Sequence, residues 1–418
     1  MTPDPPLRVE SPQAAIALVV SRIAAASQGL GCESVPLALA RGRVLAEAIC
    51  ADRDSPPFDQ SAMDGYAIRL ADLEAGRELE VLAESRPGSP APPMPATRGC
   101  VRVATGAPRP AGSDAVIRRE DVREHPGAVP GSVARITIAD LERPRPGQHW
   151  RLRGENARRG AILLDAGTTI DAAAAATLAS CGVSAPEVRS RVEVAVITTG
   201  DEVVPIDADP REEEIRNSNA AGLAALLAKP WSELALIEHV GDEFGLLAEV
   251  LGRAIESHHA VILTGGVSMG HRDLVREAIE AQRAEILFHR LPQRPGRPML
   301  AAIAGNSARS VPVFGLPGNP LSALTTARRI VLPTLAALAG ATPKPPRQVE
   351  VEFDEPILAT PLWRFHPARF DGEGRVRLLP VRSSGDVAAA GRSDGFIEVP
   401  PDCGVEQGRR YAFFAWDE

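Results

Sequence analysis

The sequence has few aromatic side chains and no long apolar run. Only 4% of its 418 residues are Phe, Trp or Tyr, which argues against the aromatic stacking platforms that bind single-stranded nucleic acids. The net charge is −8, so no overall positive field attracts nucleic acid or an anionic membrane surface. An apolar stretch of about 18 residues, long enough for a membrane helix, is also missing. We therefore expect neither a nucleic-acid nor a membrane partner.

Cysteine is scarce as well. The five cysteines (Cys32, Cys50, Cys100, Cys181 and Cys403) are scattered, odd in number and without Cys-x-x-Cys spacing. This distribution argues against a disulfide framework and a structural zinc site, and it favours a reducing compartment. The amino-terminal MTPDPPLRVE lacks the cationic and then apolar pattern of a signal peptide. We therefore expect a cytoplasmic protein.

Helix and strand patterns change along the chain and predict four domains. Residues 1–50 and 146–190 carry helical periodicity and form a discontinuous helical linker domain. Residues 51–145 show short strand-like runs broken by Pro and Gly, which predicts an inserted β-rich domain. Residues 191–340 alternate continuous apolar strands with helices, as in a parallel sheet covered on both faces. Residues 345–418 predict a carboxy-terminal β domain.

Local signals place several boundaries. Ser11 and Asp171 each precede an apolar helical pattern, and both residue types are favoured N-caps, so we expect helices to begin there. The segment Phe288–Pro298 (FHRLPQRPGRP) combines three arginines with Pro and Gly and predicts a stiff cationic loop. The last segment predicts strands only, with turns at Asp371-Gly372 and Asp394-Gly395.

The most informative segment is Ser55–Arg69, SPPFDQSAMDGYAIR. Its prolines and the turn at Asp64-Gly65 predict a rigid loop that presents carboxylates such as Asp59, rather than a stretch that fills a core. Taken alone, the segment is more typical of an ordinary surface turn.

Three glycine-rich or hydroxyl-rich loops follow predicted strands of the α/β block. They are Thr199–Glu202, Thr264–Gly270 and Leu316–Ser322. In an open parallel sheet, ligands bind where the strands end, and backbone N–H groups at such turns attract anions. A single loop of this kind is usually only a tight turn, whereas three in one domain favour a phosphate site.

Charged residues lie beside these loops. Asp201, Glu202 and Asp273 offer the oxygen ligands that Mg²⁺ prefers, together with phosphate oxygens of a substrate. Arg294 and Arg297 carry guanidinium groups suited to oxyanions. The bland alternative is a set of solvated loop charges. The combination predicts a phosphorylated ligand that is processed with Mg²⁺.

Several segments together resemble the MoeA/gephyrin E-domain family of molybdopterin molybdenumtransferases. They occur in the family's order and spacing and cover nearly the whole chain: SPPFDQSAMDGYAIR (55–69), RVATGAPRPAGSDAVIRRE (102–120), RLRGEN (151–156), TTGDE (198–202), IRNSN (215–219), TGGVSMGHRD (264–273), RPGRP (294–298), FGLPGNPLSA (314–323) and SSGDVAAAGRSDGFIEVP (383–400).

The resemblance implies an elongated four-domain homodimer with a MogA-like doubly wound α/β domain and a β-barrel-like carboxy-terminal domain. It implies insertion of molybdate into adenylylated molybdopterin with Mg²⁺ and release of AMP. The active sites would be shared, each lying between the α/β domain of one subunit and the inserted β domain of the other. A molybdopterin adenylyltransferase and acceptor molybdoenzymes would be the protein partners.

The resemblance also implies roles for single residues. The catalytic carboxylates would be Asp59, Asp64, Glu202 and Asp273, and Mg²⁺ would lie at Asp201, Glu202 and Asp273. Molybdate would bind at Arg294, Arg297 and Ser322. The remaining substrate contacts would come from Thr105, Thr199, Gly200, Asp201, Asn217, Ser218, Gly265, Gly266, Ser268, Pro317, Gly318 and Asn319.

The chain departs from the family at a few positions. The family usually has Asp at Asn156 and often at Asn217, commonly Lys at Arg290 and Arg297, and Tyr at Leu274. Lys to Arg keeps the charge but changes the geometry, whereas Asp to Asn removes a charge. The alternatives to the transferase are a degenerate paralogue that binds molybdopterin or the molybdenum cofactor without inserting metal, a scaffold, and an adenylylating enzyme.

Overall fold

The computed structural model describes residues 7–28, 30–73, 78–96, 98–129, 131–138, 144–266, 273–306, 309–353, 357–372 and 374–417. The α-helices are, in chain order, α1 (Pro12–Gln28), α2 (Ala172–Ser180), α3 (Ser218–Leu227), α4 (Phe244–Ser257), α5 (Leu274–Ala281), α6 (Pro320–Thr326), α7 (Leu332–Leu338) and α8 (Val387–Arg392). One turn of π-helix, Ala327–Val331, joins α6 to α7.

The strands are, in chain order, β1 (Cys32–Ser34), β2 (Ile49–Cys50), β3 (Gln60–Ser61), β4 (Gly65–Ile68), β5 (Glu78–Ser85), β6 (Gly99–Val103), β7 (Ala115–Arg118), β8 (Val122–Pro126), β9 (Val133–Ile138), β10 (Trp150–Arg151), β11 (Ile162–Leu164), β12 (Glu187–Arg189), β13 (Val192–Thr199), β14 (Val203–Val204), β15 (Ile215–Arg216), β16 (Ser232–Val240), β17 (Ala260–Thr264), β18 (Glu285–His289), β19 (Gln293–Arg294), β20 (Leu300–Asn306), β21 (Arg309–Leu316), β22 (Arg347–Glu352), β23 (Trp363–Phe370), β24 (Val376–Leu378), β25 (Gly395–Val399) and β26 (Arg410–Ala415).

The chain divides into two compact units. The first unit contains Met1–Glu47, Ala166–Ala176 and Ser184–Glu418, and the second contains Ala48–Asp165 and Thr177–Val183. The finer division into four domains stays a prediction. Among the described helices, none combines the length and the apolar composition that crossing a membrane requires.

A six-stranded sheet organises the first unit, in the order β16-β13-β17-β21-β20-β18. The first four strands are parallel, whereas β20 runs antiparallel to both β21 and β18. Along β13, Val194 and Val196 face the core with α1, α3 and α7, while Ala195 and Ile197 face the core with α4 and α5. Apolar residues on both faces explain the continuous apolar runs, and the doubly wound fold is confirmed.

The amino-terminal helix belongs to this sheet. Its first turn is capped by Ser11, whose Oγ accepts a hydrogen bond of 3.0 Å from the Ala14 N–H. Val19 and Ile23 on its inner face are buried, and the helix packs on β20, β21 and α7. Asp171 caps α2 in the same way, through the Ala174 N–H at 2.9 Å. Both predicted helix starts are confirmed.

The carboxy-terminal strands form a closed five-stranded barrel, in the order β23-β24-β22-β26-β25 and back to β23. Val349, Val376, Ile397 and Phe413 fill its interior. Arg329, from the π-helical turn, forms a buried ion pair of 2.5 Å with Glu398 of β25, and Gln13 of α1 donates to the same carboxylate. The barrel is thereby fixed to the α/β part of the first unit.

The second unit is built on another six-stranded sheet, in the order β7-β4-β6-β5-β9-β8. Tyr66, Ile68 and Ile117 lie in the core on one face, and Val103 and Trp150 lie in the core on the other. Two ribbons, β3 with β10 and β2 with β11, complete this unit. The sheet confirms that the segment is β-rich.

Three sequence-based predictions need correction. The α/β sheet is mixed rather than wholly parallel, because the alanine-rich stretch Leu300–Asn306 is a strand that forms a hairpin with β21. Phe288–Pro298 is not only a loop, since β18 ends within it and Gln293–Arg294 pairs with β23. The carboxy-terminal segment is not all strand: α8 ends at Arg392, and Asp394-Gly395 therefore joins a helix to β25 instead of forming a hairpin turn.

Candidate active site

A pocket of about 360 Å³ lies where β13, β17 and β21 end. The loops after these three strands and the start of α3 line it, as expected for the carboxyl edge of an open sheet where the strand order changes direction. The lining of this loop pocket is Thr198, Thr199, Gly200, Glu202, Val203, Ile215, Arg216, Asn217, Ser218, Asn219, Asp242, Thr264, Gly265, Gly266, Pro298, Pro317, Gly318, Asn319 and Pro320.

Hydrogen bonds join the start of α3 to the ends of β17 and β21. Asn219 donates through Nδ2 to the Gly318 carbonyl oxygen at 2.7 Å and to Thr264 Oγ1 at 2.8 Å. Thr264 Oγ1 donates in turn to the Pro317 carbonyl oxygen at 3.2 Å. Two of the loops that the sequence singled out separately, those after β17 and β21, are therefore linked through Asn219. Asn219 was not among the predicted site residues.

The turn after β17 requires glycine. Gly265 has a φ of +105°, and a Cβ added there would lie 2.4 Å from Thr199 Oγ1. A side chain is therefore excluded both by the backbone conformation and by the neighbouring loop. The same segment continues through residues 267–272, so the predicted contact Ser268 lies outside the described residues.

Asn217 fixes the start of α3. Its Oδ1 accepts a hydrogen bond of 3.0 Å from the Ala220 N–H, and its Nδ2 donates to Thr198 Oγ1 at 2.8 Å. Ser218 follows as the first residue of the helix and lines the pocket. The N-terminal end of a helix presents free N–H groups and a positive dipole end, which favour an anion.

Acidic side chains also line the loop pocket and form its acidic edge. Glu202 and Asp242 line it, and Asp201 Oδ1 accepts a hydrogen bond of 2.8 Å from the Asp242 N–H. Burial, followed by the negative charges of Asp201 and Glu202, raises the pKa of Asp242. Sequence reasoning missed Asp242, although it follows β16, the neighbour of β13, and the strand-end rule would have found it.

Asp273 has a different environment. It caps α5 by accepting a hydrogen bond of 3.1 Å from the Arg276 N–H, and His289 Nε2 lies 3.7 Å from its Oδ2. Burial raises the pKa of Asp273. Within the described ranges, Asp201 and Asp273 do not line the loop pocket, and no three His, Cys, Asp or Glu side chains form a metal-binding group.

A second cavity, of about 670 Å³, lies between the α/β part and the barrel of the first unit. The lining of this barrel groove is Arg294, Pro295, Leu321, Phe353, Ile357, Thr360, Leu362, Arg364, Phe365, His366, Leu378, Leu379, Pro380, Val381, Arg382, Ser383 and Ser384. Of the predicted molybdate residues, Arg294 lines the groove. Arg297 is exposed on the same turn, and Ser322 is buried with its N–H 3.3 Å from the Ser384 carbonyl oxygen.

The remaining predicted residues belong to the second unit. Asp59 accepts a hydrogen bond of 2.9 Å from the Arg153 N–H and lies 3.4 Å from Arg109 Nη1. Asp64 Oδ1 accepts from the N–H of Thr105 at 2.7 Å and from its Oγ1 at 2.8 Å. These two bonds, the backbone one first, lower the pKa of Asp64. The loop that carries Asp59 and Asp64 is thus fixed by hydrogen bonds to these side chains as well as by its prolines.

Residues 10–182 match the family described as MoeA N-terminal region (domain I and II), and residues 195–337 match the probable molybdopterin binding domain. A molybdopterin molybdenumtransferase of Nostoc sp. is 36% identical, over 74% of this chain and 70% of its own length. One of Synechococcus elongatus is 32% identical, over 93% of this chain and 94% of its own length.

The fold has a solved counterpart. The crystal structure of the molybdopterin biosynthesis moeA protein from Pyrococcus horikoshii aligns with a TM-score of 0.75 and 25% identity, covering 98% of this chain and all of that one. The family resemblance indicated by the motifs is thereby confirmed. The chain belongs to the molybdopterin molybdenumtransferase family, and it is a transferase of molybdenum cofactor biosynthesis.

Proposed function

We propose that this protein inserts molybdate into adenylylated molybdopterin, with Mg²⁺, and releases AMP. The observation that carries the proposal is the loop pocket, which combines three strand-end loops and the start of α3 with an acidic edge. Backbone N–H groups of the loops suit phosphate oxygens, and the carboxylates of the acidic edge suit a divalent cation. An adenylylated pterin needs both, because its anhydride is itself negatively charged.

The substrate is proposed to bind across this pocket. The contacts would come from the lining residues named from the sequence, which are Thr199, Gly200, Asn217, Ser218, Gly265, Gly266, Pro317, Gly318 and Asn319. Ser268 stays in the proposal from the sequence alone. Asp201 would act by orienting Asp242 through the hydrogen bond to its N–H.

The acidic edge fits Mg²⁺. Burial, followed by the negative charges of Asp201 and Glu202, raises the pKa of Asp242, and a divalent cation would offset the repulsion between these carboxylates. Glu202 and Asp242 would hold the ion, with Asp201 beside them, and the sequence-based ligand Asp273 stays a prediction. When bound, Mg²⁺ screens the charge of the phosphate groups. The lining residues of the loop pocket orient the anhydride and keep its negative charge apart from the carboxylates of the acidic edge.

Molybdate is proposed to bind near Arg294 and Arg297, with Ser322 beside them. Molybdate is a compact dianion, and charge-assisted hydrogen bonds from guanidinium groups match it. The support is the position of Arg294 in the lining of the barrel groove, which also contains Ser384, whose carbonyl oxygen accepts the Ser322 N–H.

Asp59, Asp64 and Thr105 are proposed to act on the loop pocket of a second copy of this chain. A homodimer with shared sites would then be the working form. A cytoplasmic location, a molybdopterin adenylyltransferase that supplies the substrate and molybdoenzymes that accept the product complete the proposal. The rigid hold on the Asp59 and Asp64 carboxylates supports a positioned role.

A metal-insertion assay with purified protein, adenylylated molybdopterin, Mg²⁺ and molybdate tests the proposal. We expect AMP release that requires both Mg²⁺ and molybdate. Glu202→Gln and Asp242→Asn should abolish it, while the exposed carboxylates Glu212→Gln and Asp207→Asn serve as controls. Tight binding of the adenylylated pterin without AMP release would identify a degenerate paralogue and refute the proposal.

A further inference from the structure

A chain of hydrogen bonds connects the edge strand of the α/β sheet to the start of α3. His239, on the edge strand β16, is paired with Thr198 of β13 in the parallel register. The Nδ1 of its ring lies 3.0 Å from Thr198 Oγ1, and Asn217 Nδ2 donates to the same oxygen at 2.8 Å. Asn217 Oδ1 accepts the Ala220 N–H, which completes the chain. His239 is therefore linked to the N-cap of α3, although the described lining of the loop pocket does not include it.

The direction of these bonds follows from their donors. Asn217 Oδ1 accepts from a backbone N–H, so the amide must turn its Nδ2 toward Thr198. Thr198 Oγ1 therefore accepts one bond and keeps its own proton for donation. Among the described residues, its other hydrogen-bond partner is His239 Nδ1. A hydroxyl that donates to Nδ1 requires a neutral ring with its proton on Nε2, because a ring nitrogen accepts only when it carries no proton.

Burial of Thr198 makes the opposite direction unfavourable. Thr198 is 2% exposed. If His239 Nδ1 carried the proton, Thr198 Oγ1 would accept two bonds, and its own proton would have no acceptor among the residues that the structure describes. A buried donor without an acceptor is destabilising, whereas consecutive bonds that run in one direction strengthen one another. The exposed ring of His239 therefore sets the orientation of two residues that line the loop pocket, Thr198 and Asn217.

We propose that His239 is a positioning residue of the loop pocket. Its neutral ring accepts the Thr198 hydroxyl proton, which fixes the hydroxyl as an acceptor for Asn217 Nδ2 and so keeps Asn217 in place as the N-cap of α3. The N–H groups in the first turn of α3, beginning with Ser218, then stay available to a phosphate group in the pocket. A phosphate as the ligand rests on the proposed function, whereas the hydrogen-bond chain rests on the geometry alone.

The tautomer of His239 tests the direction of the chain. NMR spectra of the whole chain with isotope-labelled histidine, at a pH where histidines are neutral, should show the Nε2–H form for His239, whose signals His239→Phe and His239→Asn assign. Asn217→Asp is the matched variant, because a carboxylate accepts from both the Ala220 N–H and the Thr198 hydroxyl. Thr198 then has no proton left for His239, which should switch to the Nδ1–H form. The Nδ1–H form in the wild type, or an unchanged tautomer in Asn217→Asp, would overturn the proposal.

Calorimetric titration with AMP tests the effect of the chain on the pocket. Loss of one neutral hydrogen bond should weaken AMP binding about 2- to 10-fold in His239→Phe. His239→Asn should restore the affinity to within about twofold, because Asn Oδ1 is an acceptor at the same number of bonds from the backbone as His Nδ1. The control is His125→Phe, since His125 makes the same kind of bond, to Thr137 Oγ1 at 2.8 Å, outside this chain of hydrogen bonds. It should bind AMP as the wild type does.

Equal weakening in His239→Phe and His239→Asn would overturn the proposal, and so would unchanged affinity in His239→Phe or a wild type that does not bind AMP. His239 is exposed, so its replacement leaves no buried gap. If His239→Phe still loses its cooperative melting transition, the tautomer switch in Asn217→Asp decides alone. The proposed function is tested separately by molybdate insertion. A protein that binds AMP in this pattern but inserts no molybdate keeps this inference and loses the proposed function.

Discussion

Asn319 Nδ2 donates a hydrogen bond of 2.9 Å to Ser384 Oγ. Asn319 lines the loop pocket and Ser384 lines the barrel groove, so this single bond joins the walls of the two cavities. The proposed pterin site and the proposed oxyanion site therefore share a boundary. A substitution in the wall of one cavity should therefore affect the other cavity.

A double-mutant cycle measures that coupling. We expect Asn319→Ala and Ser384→Ala each to lower the rate of AMP release, and the double variant to lose less than the sum of the two. One hydrogen bond between them would give a coupling free energy of about 0.5–1.5 kcal/mol. Strict additivity of the two effects would show that the cavities work independently.

Asp242 should make stability fall as the pH rises. Its folded pKa is raised above 3.8, so the folded state holds the proton more tightly, and this stabilisation is lost as the pH rises through the raised value. At neutral pH, Asp242→Asn should therefore melt above the wild type, with Asp207→Asn as the control. Mg²⁺ should raise the wild-type melting temperature more than that of Asp242→Asn. A melting temperature below that of the wild type for Asp242→Asn would contradict the raised pKa of Asp242.

Thr105 should control the ionisation of Asp64. The Thr105 N–H and hydroxyl both lower the pKa of Asp64 below 3.8, so its contribution to stability is present at neutral pH and is lost as the pH falls through the lowered value. Thr105→Val keeps the N–H and removes the hydroxyl, which should move the pKa of Asp64 part of the way back. Carboxyl NMR titration measures this directly, and an unchanged pKa would exclude the hydroxyl contact.

Shared active sites predict complementation between inactive variants. Asp59→Ala and Glu202→Ala should each be inactive as homodimers. In a mixture that has exchanged subunits, mixed dimers would contain one intact site, and about a quarter of wild-type AMP release should return. Sedimentation gives the oligomeric state alongside. No recovery despite proven exchange, or a monomer at micromolar concentration, would refute the shared-site arrangement.

The buried ion pair between Arg329 and Glu398 should contribute most to fixing the barrel to the α/β part of the first unit. Both side chains are nearly inaccessible, so Glu398→Ala leaves an unpaired buried charge and should cost about 3–5 kcal/mol in the free energy of unfolding. The matched control is Glu350→Ala, since Glu350 lies 3.6 Å from Arg410 in an exposed pair. Its loss should cost about 0–1 kcal/mol. If denaturant unfolding shows that the two variants lose equal amounts of unfolding free energy, the ion pair does not have this role.

The sequence predicted those elements whose signals are local. Ser11 and Asp171 mark helix starts because an N-cap acts within one turn, and the strand-end rule is enough to place Thr199, Gly265 and Gly318 at one edge of the sheet. Asn219 and Asp242 were missed for opposite reasons. The role of Asn219 depends on hydrogen bonds to two distant loops, whereas Asp242 was visible as a strand-end carboxylate and was passed over.

Long-range pairing accounts for the other errors. Leu300–Asn306 is rich in alanine and carries little intrinsic strand preference, so only its pairing with β21 makes it a strand. Gln293–Arg294 is too short to be recognised without its partner β23. The placement of Arg364 beside Arg294 follows from that register and from no local pattern.

The packing of α1 has a consequence for co-translational folding, because the helix packs on residues that are synthesised much later. The helix ends at Gln28, but its partner α7 ends at Leu338, about 300 residues later. The ribosome therefore releases α1 long before its packing surface exists, and the second unit, Ala48–Asp165 with Thr177–Val183, is synthesised completely in between. Domains generally fold as units during synthesis, so the apolar face of α1 stays unpaired after the second unit has folded. A nascent chain arrested before β20 should expose that face to chaperones or proteases.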